Sequence, residues 1–124
     1  MNSSAMAVLM AGLLPVVCAG IAKWGAKGYD NHDPRAWLAR QQGYRARANA
    51  AQQNSLEAFP LFAVAVAMAL HNGASPPIIS IWAWLFVGLR IIYIFCYVSD
   101  RATLRSIVWM LALVVTIRLY AIAF

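Results

Sequence analysis

Between Arg45 and Leu70 a polar stretch, RARANAAQQNSLE, runs without a break into the apolar stretch AFPLFAVAVAMAL. The uncharged part, Ala58 to Leu70, is too short to cross a bilayer alone. A helix needs about 20 residues, at about 1.5 Å each, to span a hydrocarbon core of about 30 Å. Counting back from the polar turn His71-Asn72-Gly73, a spanning helix must begin near Ala51. Asn54 and Glu57 then lie inside the membrane. A carboxylate at that depth costs about 2.5–3.5 kcal/mol, and such a residue is a functional-site candidate by default.

Three further segments reach spanning length. With the second, extended back to Arg45, they cover about 5–24, 45–71, 78–98 and 106–124. Each is continuously apolar and far longer than a barrel strand, which predicts α-helices. The chain is 63% hydrophobic and 11% charged. Soluble domains are about 45–50% apolar and about 25% charged, so this composition is that of an integral membrane protein. The 124 residues allow one domain, residues 1–124: an all-α bundle of four transmembrane helices. The first segment lacks a positive charge before its apolar run, and Lys23 follows it. It reads as an uncleaved first span rather than a signal peptide.

The net charge of +6 comes from residues that set topology. Lys23, Lys27, Arg35, Arg40, Arg45 and Arg47 flank or occupy the first loop; Arg101 and Arg105 occupy the third. The positive-inside rule places these two loops in the cytoplasm and both termini outside. No basic patch is interleaved with aromatics on a separate domain, so nucleic acid is set aside as a partner. Cys18 and Cys96 lie in apolar runs without metal-ligand spacing, so no metal site is expected. The turn NGASPP suits a tight connection, with Pro76-Pro77 opening the third span. Ser99 or Asp100 is the expected N-cap of the fourth.

Along one stripe of the second span lie Arg47, Asn54 and Glu57, flanked by Gln52 and Gln53. Lipid cannot satisfy these groups, so the stripe must face protein or a water-filled cleft. Pro60 frees the carbonyl of Leu56 and predicts a kink beside Glu57. Arg90, Tyr93 and Tyr97 share a face of the third span. Counted from the basic end, Arg90 is about 12 Å deep and Glu57 about 9–15 Å, so an ion pair between them is expected. Such a pair is equally compatible with a purely structural role. Arg105, at the mouth of the same region, is suited to hold an anion or to lower a thiol pKa. Arg118 can snorkel to the opposite boundary, and Trp82, Trp84, Trp109 and Tyr120 fit anchoring or packing.

The run RARANAAQQNSLEAFPLF resembles the signature of the MAPEG family, the membrane-associated proteins in eicosanoid and glutathione metabolism. Arg47, Asn54, Glu57 and Pro60 fill its places. The later run RIIYIFCYVSDRATLRS resembles the family's third-helix tyrosine pair and the opening of its fourth helix, through Tyr93, Tyr97 and Arg105. The resemblance covers essentially the whole chain and is closest to a bacterial branch. It implies a homotrimer in the bacterial inner membrane, with glutathione as cosubstrate in a cleft between subunits. It assigns Arg105 to stabilising the thiolate, and Arg47, Asn54 and Glu57, with Gln52 a weaker match, to holding the peptide. Tyr93 and Tyr97 would line the cleft, and Arg90 would support Glu57 or a ligand carboxylate. Family enzymes usually carry a second Arg four residues before the Asn, where this chain has Ala50. A ligand carboxylate there loses a bond of about 1.5–3 kcal/mol.

Three functions are open at this level. One is a glutathione transferase or peroxidase acting on lipophilic molecules. Another is a non-catalytic protein whose polar stripe specifies assembly or binds lipid. The last is a small proton-coupled exporter, a class that usually carries its carboxylate in the first helix, where this chain has none.

Overall fold

The computed structural model describes residues 2–124. It contains α1 (Ser3–Lys23), α2 (Pro34–Ala39), α3 (Gly43–His71), α4 (Pro76–Val98) and α5 (Ala102–Ala123). Four of these, all except α2, are long and apolar enough to cross a membrane. The bounds exceed the apolar runs by up to a turn, and at α1 a capping residue accounts for the extension. Asn2 accepts the Ala5 N–H at 2.8 Å and so begins α1 two residues before the apolar run.

The first loop holds an element that hydropathy does not reveal. Asp33 accepts the Ala36 N–H at 3.3 Å and Pro34 takes the first helical position, which together open α2. Its six residues bury Trp37 and Leu38 on Ala22 and Ala48, while Arg35 and Arg40 stay exposed. Trp37 also meets the Tyr29 ring edge-on, with centroids 5.0 Å apart.

The four spans run up and down. Both α3 and α4 touch every other span, whereas α1 and α5 occupy opposite corners. Lipid gives helices no hydrophobic reason to associate, so packing depends on close approach of small residues. That is how α1 meets α3. Ser4, Ala7, Ala11, Cys18 and Ala22 are buried on α1, and Ala48, Ala51, Ser55, Ala65 and Ala69 on α3. Beyond this seam, Phe62 and Phe86 stack nearly parallel, 3.9 Å between centroids and 7° between planes, and fill the centre.

The two tight turns end helices in the same way. After α3, Gly73 (φ 78°) lets its own N–H bond the Leu70 carbonyl while Ala74 N–H bonds Ala69. After α4, Asp100 takes the same left-handed role (φ 61°). Arg101 N–H bonds the Cys96 carbonyl at 2.8 Å and Asp100 N–H bonds Tyr97 at 3.1 Å. This corrects the expectation for Ser99 and Asp100. They close α4 rather than cap α5, whose N-cap position is Arg101, without a side-chain cap.

Candidate functional site

Two arginines of α3 tie the basic end of the bundle together. Arg45 Nη1 donates to the Ala22 carbonyl at 2.8 Å, and Arg47 Nε donates to Val98 at 3.1 Å. Both carbonyls belong to last turns, which carry unsatisfied acceptors and the negative end of the helix dipole. Arg47, a sequence candidate for ligand binding, thus sits as a cap on α4.

Deeper in the bundle, Arg90 is only 2% exposed. Its Nη2 donates to Asn54 Oδ1 at 2.8 Å and to Ser55 Oγ at 3.2 Å. Its guanidinium also lies 4.0 Å from the centroid of the Tyr93 ring. The expected pairing with Glu57 is therefore replaced by two neutral acceptors and an aromatic face. The depth argument found the right level but not the right azimuth. Packing on α1 turns Ser55 inward and Asn54 partly inward, and leaves Glu57 exposed at an open cavity rather than against the arginine.

From Arg90 a continuous series of contacts leads to the membrane boundary. Tyr93 meets Tyr97 edge-on, with centroids 5.7 Å apart. Arg105 lies over the other side of the series, 4.3 Å from the Tyr97 centroid. The short turn Ser99–Arg101 makes this possible, since it returns α5 directly beside the last turn of α4. The geometry joins Asn54, Arg90, Tyr93, Tyr97 and Arg105, with cations at both ends and tyrosines between.

Beside this series is a cavity of about 190 Å³ among α3, α4 and α5. Asn54, Glu57 and Arg90 form its polar wall; Leu61, Phe86, Trp109 and Leu113 are on its apolar side. Arg90 accepts nothing and holds the Asn54 carbonyl oxygen, which leaves the Asn54 amide N–H groups to donate elsewhere. The site can therefore offer donors and a carboxylate to a polar molecule, next to an apolar chamber.

Gln52 is not part of this arrangement. It lies on another face of α3, in a cleft with Arg35, Leu38, Asn49 and Gln53. Sequence reasoning missed Ser55, whose spacing after Ala48 and Ala51 places it on the small-residue seam. It also missed Arg45 as a cap and Trp109 as a cavity wall. Arg118 lies 5.9 Å from the Trp82 ring centroid, a packing contact as well as a boundary one. No group of three or more His, Cys, Asp or Glu side chains suited to a metal occurs among the described residues.

Four apolar spans around a buried arginine, with a polar-walled cavity at membrane depth, define a polytopic helical membrane protein with an intramembrane site. The model of the MAPEG family matches residues 3–124, so the chain belongs to that family. Comparison with curated proteins and with solved structures gives no match.

Proposed function

We propose that this protein is a glutathione-dependent transferase or peroxidase that acts on lipophilic molecules. It works as a homotrimer in the bacterial inner membrane, with the basic end in the cytoplasm. The observation that carries this reading is the series from Asn54 and Arg90 through Tyr93 and Tyr97 to Arg105. It provides fixed cations and donors from membrane depth to the boundary, where a water-soluble thiol and a lipid-soluble electrophile can meet.

Each residue has a role in this scheme. Arg105 stabilises the thiolate by proximity of charge. Glu57 accepts from the ligand ammonium, and Asn54 donates to its peptide. Tyr93 and Tyr97 line the approach. Arg90 is a positioning residue that fixes the Asn54 amide and the Tyr93 ring. Arg47 holds the end of α4 beside the cleft, and Gln52, on another face of α3, contributes to the cleft of a neighbouring subunit. In transfer, the thiolate forms a C–S bond as the leaving group departs with its electron pair. In reduction of a lipid hydroperoxide, sulfur takes the terminal oxygen and an alcohol is released; a second glutathione then yields disulfide and water. Holding both reactants in register supplies much of the acceleration.

The test is ultraviolet difference absorbance of the thiolate as glutathione is added to protein in lipid nanodiscs. A saturable thiolate signal is expected, lost in Arg105→Gln with assembly intact. Absence of both binding and signal in the native protein refutes the proposal. A second reading, a non-catalytic assembly or lipid-binding protein, draws on Ala50, which removes a cation from the place where family enzymes hold a ligand carboxylate.

A further inference from the structure

The cavity beside Arg90 has a definite end along the bundle axis. On α5 its lining runs from Trp109 through Ala112 and Leu113 to Thr116, and on α3 from Asn54 to Leu61. The stretch from Trp109 to Thr116 covers about 10 Å of helix. One turn past Thr116, Tyr120 crosses the seam, and its hydroxyl donates to the Leu61 carbonyl at 3.2 Å. Farther on, the Asn72 amide donates to the Ala123 carbonyl at 2.8 Å and ties the end of α3 to the end of α5. On the basic side of Tyr120, no side-chain hydrogen bond joins α3 to α5 among the described residues. The seam between these two helices is therefore tied in one half and open in the other.

The first tie lies near mid-membrane. Counted back from His71, Leu61 is about 15 Å from the far boundary of a core about 30 Å thick. Lipid offers the Tyr120 hydroxyl no acceptor, so its bond to the neighbouring span is favoured there. The chamber is confined to the basic half of the membrane, and a molecule running down the α3–α5 seam meets the tyrosine.

The inner walls are fixed as well. Phe86 is buried and stacked on Phe62, so it has no room to turn aside. Thr116 is buried, and its hydroxyl donates to the Ala112 carbonyl at 3.0 Å, so the floor offers no free donor. An apolar cavity of about 150 Å³ holds one benzene ring. The volume here, about 190 Å³, suits one ring with a small substituent. A lipid acyl chain occupies one leaflet, about 15 Å or half the core, and outruns a chamber of about 10 Å.

We propose that Tyr120 is a specificity-determining residue. By closing the α3–α5 seam it limits the lipophilic partner to a compact molecule, such as an aryl or short-chain hydroperoxide, and turns long acyl chains away. The reaction rests on the glutathione reading; the size limit rests on the contact between Tyr120 and Leu61. The compact partner lies against Leu61, Phe86 and Trp109. Trp109 stands one turn from Arg105 on the same face of α5, which brings that partner toward the thiolate.

The experiment follows glutathione disulfide formed by the full chain in lipid nanodiscs. It compares cumene hydroperoxide with a long-chain fatty acid hydroperoxide; each consumes two glutathiones and yields disulfide, an alcohol and water. Native protein is expected to favour the compact substrate in kcat/KM by about tenfold or more, the scale on which an apolar pocket discriminates by size. In Tyr120→Ala the ratio of long to compact is expected to rise by about tenfold over native, with partition into lipid common to both proteins. Tyr120→Phe keeps the ring and loses the bond; it gives a smaller rise and keeps the result readable if the alanine variant folds poorly. Equal use of both substrates by native protein overturns the proposal. So does a ratio unchanged in both variants, the pattern of a merely structural tyrosine. Native protein with no thiolate signal and no turnover of either substrate overturns the glutathione reading instead. The size limit is then read without turnover, as protection of Leu113→Cys from a lipid-soluble maleimide. Protection by ethylbenzene and not by octadecane supports the limit, and protection by both overturns it.

Discussion

Arg90→Met keeps the length of the side chain and removes its charge and donors. Two hydrogen bonds from a charged group, to Asn54 and Ser55, contribute about 1.5–3 kcal/mol each. The contact with the Tyr93 face adds about 2 kcal/mol in a desolvated setting. Against this stands the cost of keeping an arginine at membrane depth, about 2.5–3.5 kcal/mol, which the variant no longer bears. The balance is a destabilisation of about 1.5–5.5 kcal/mol. A double-mutant cycle with Asn54→Ala separates the hydrogen bond from the rest, with a coupling of about 1.5–3 kcal/mol expected. Reversible unfolding in mixed micelles measures all four corners. A coupling within about 0.5 kcal/mol of zero, the scatter of independent sites, would refute the assignment of Asn54 as Arg90's acceptor. Arg90→Lys is also expected to lose stability, because an ammonium has no planar fork to reach two acceptors while lying on a ring.

Two other variants test the helix ends. Asp100→Gly removes the penalty of a side chain at φ 61° and is expected to stabilise the bundle by about 1 kcal/mol in the same unfolding assay. Arg47→Met unties the last turn of α4 and is expected to cost about 1–2 kcal/mol. It should also speed amide hydrogen exchange at the end of α4 while leaving α1 protected.

The four spans were legible because hydropathy over twenty residues is a one-dimensional property and membrane thickness fixes the length. The six-residue α2 was not, since one apolar pair, Trp37-Leu38, between arginines gives no periodicity to count. In the site, residue counting placed Glu57 and Arg90 at similar depths. It could not say which side of α3 would turn inward. That rotation is decided by the small-residue seam with α1, which brings Ser55 and Asn54 to the arginine and leaves Glu57 on the cavity wall. Tyr93, Tyr97 and Arg105 were legible as a group because two of them share a helix face and the third follows a short turn. The parting of Gln52 from Asn54 also follows from rotation, since two residues along a helix turn through about 200°.

The clamps made by Arg45 and Arg47 have a consequence for biogenesis. Both residues belong to the basic excess at one end of the bundle, the kind that the positive-inside rule counts, and each bonds a carbonyl at the end of another span. Arg45 can reach Ala22 once α1 and α3 stand side by side. Arg47 can reach Val98 only after α4 has come back to the same boundary. The second contact therefore forms only once the second hairpin is in place. A chain whose α4 entered in the wrong sense, or stopped short, leaves Arg47 without its acceptor and the bundle open at its basic end. The same basic residues that a topology rule counts thus also hold the finished bundle closed at that end.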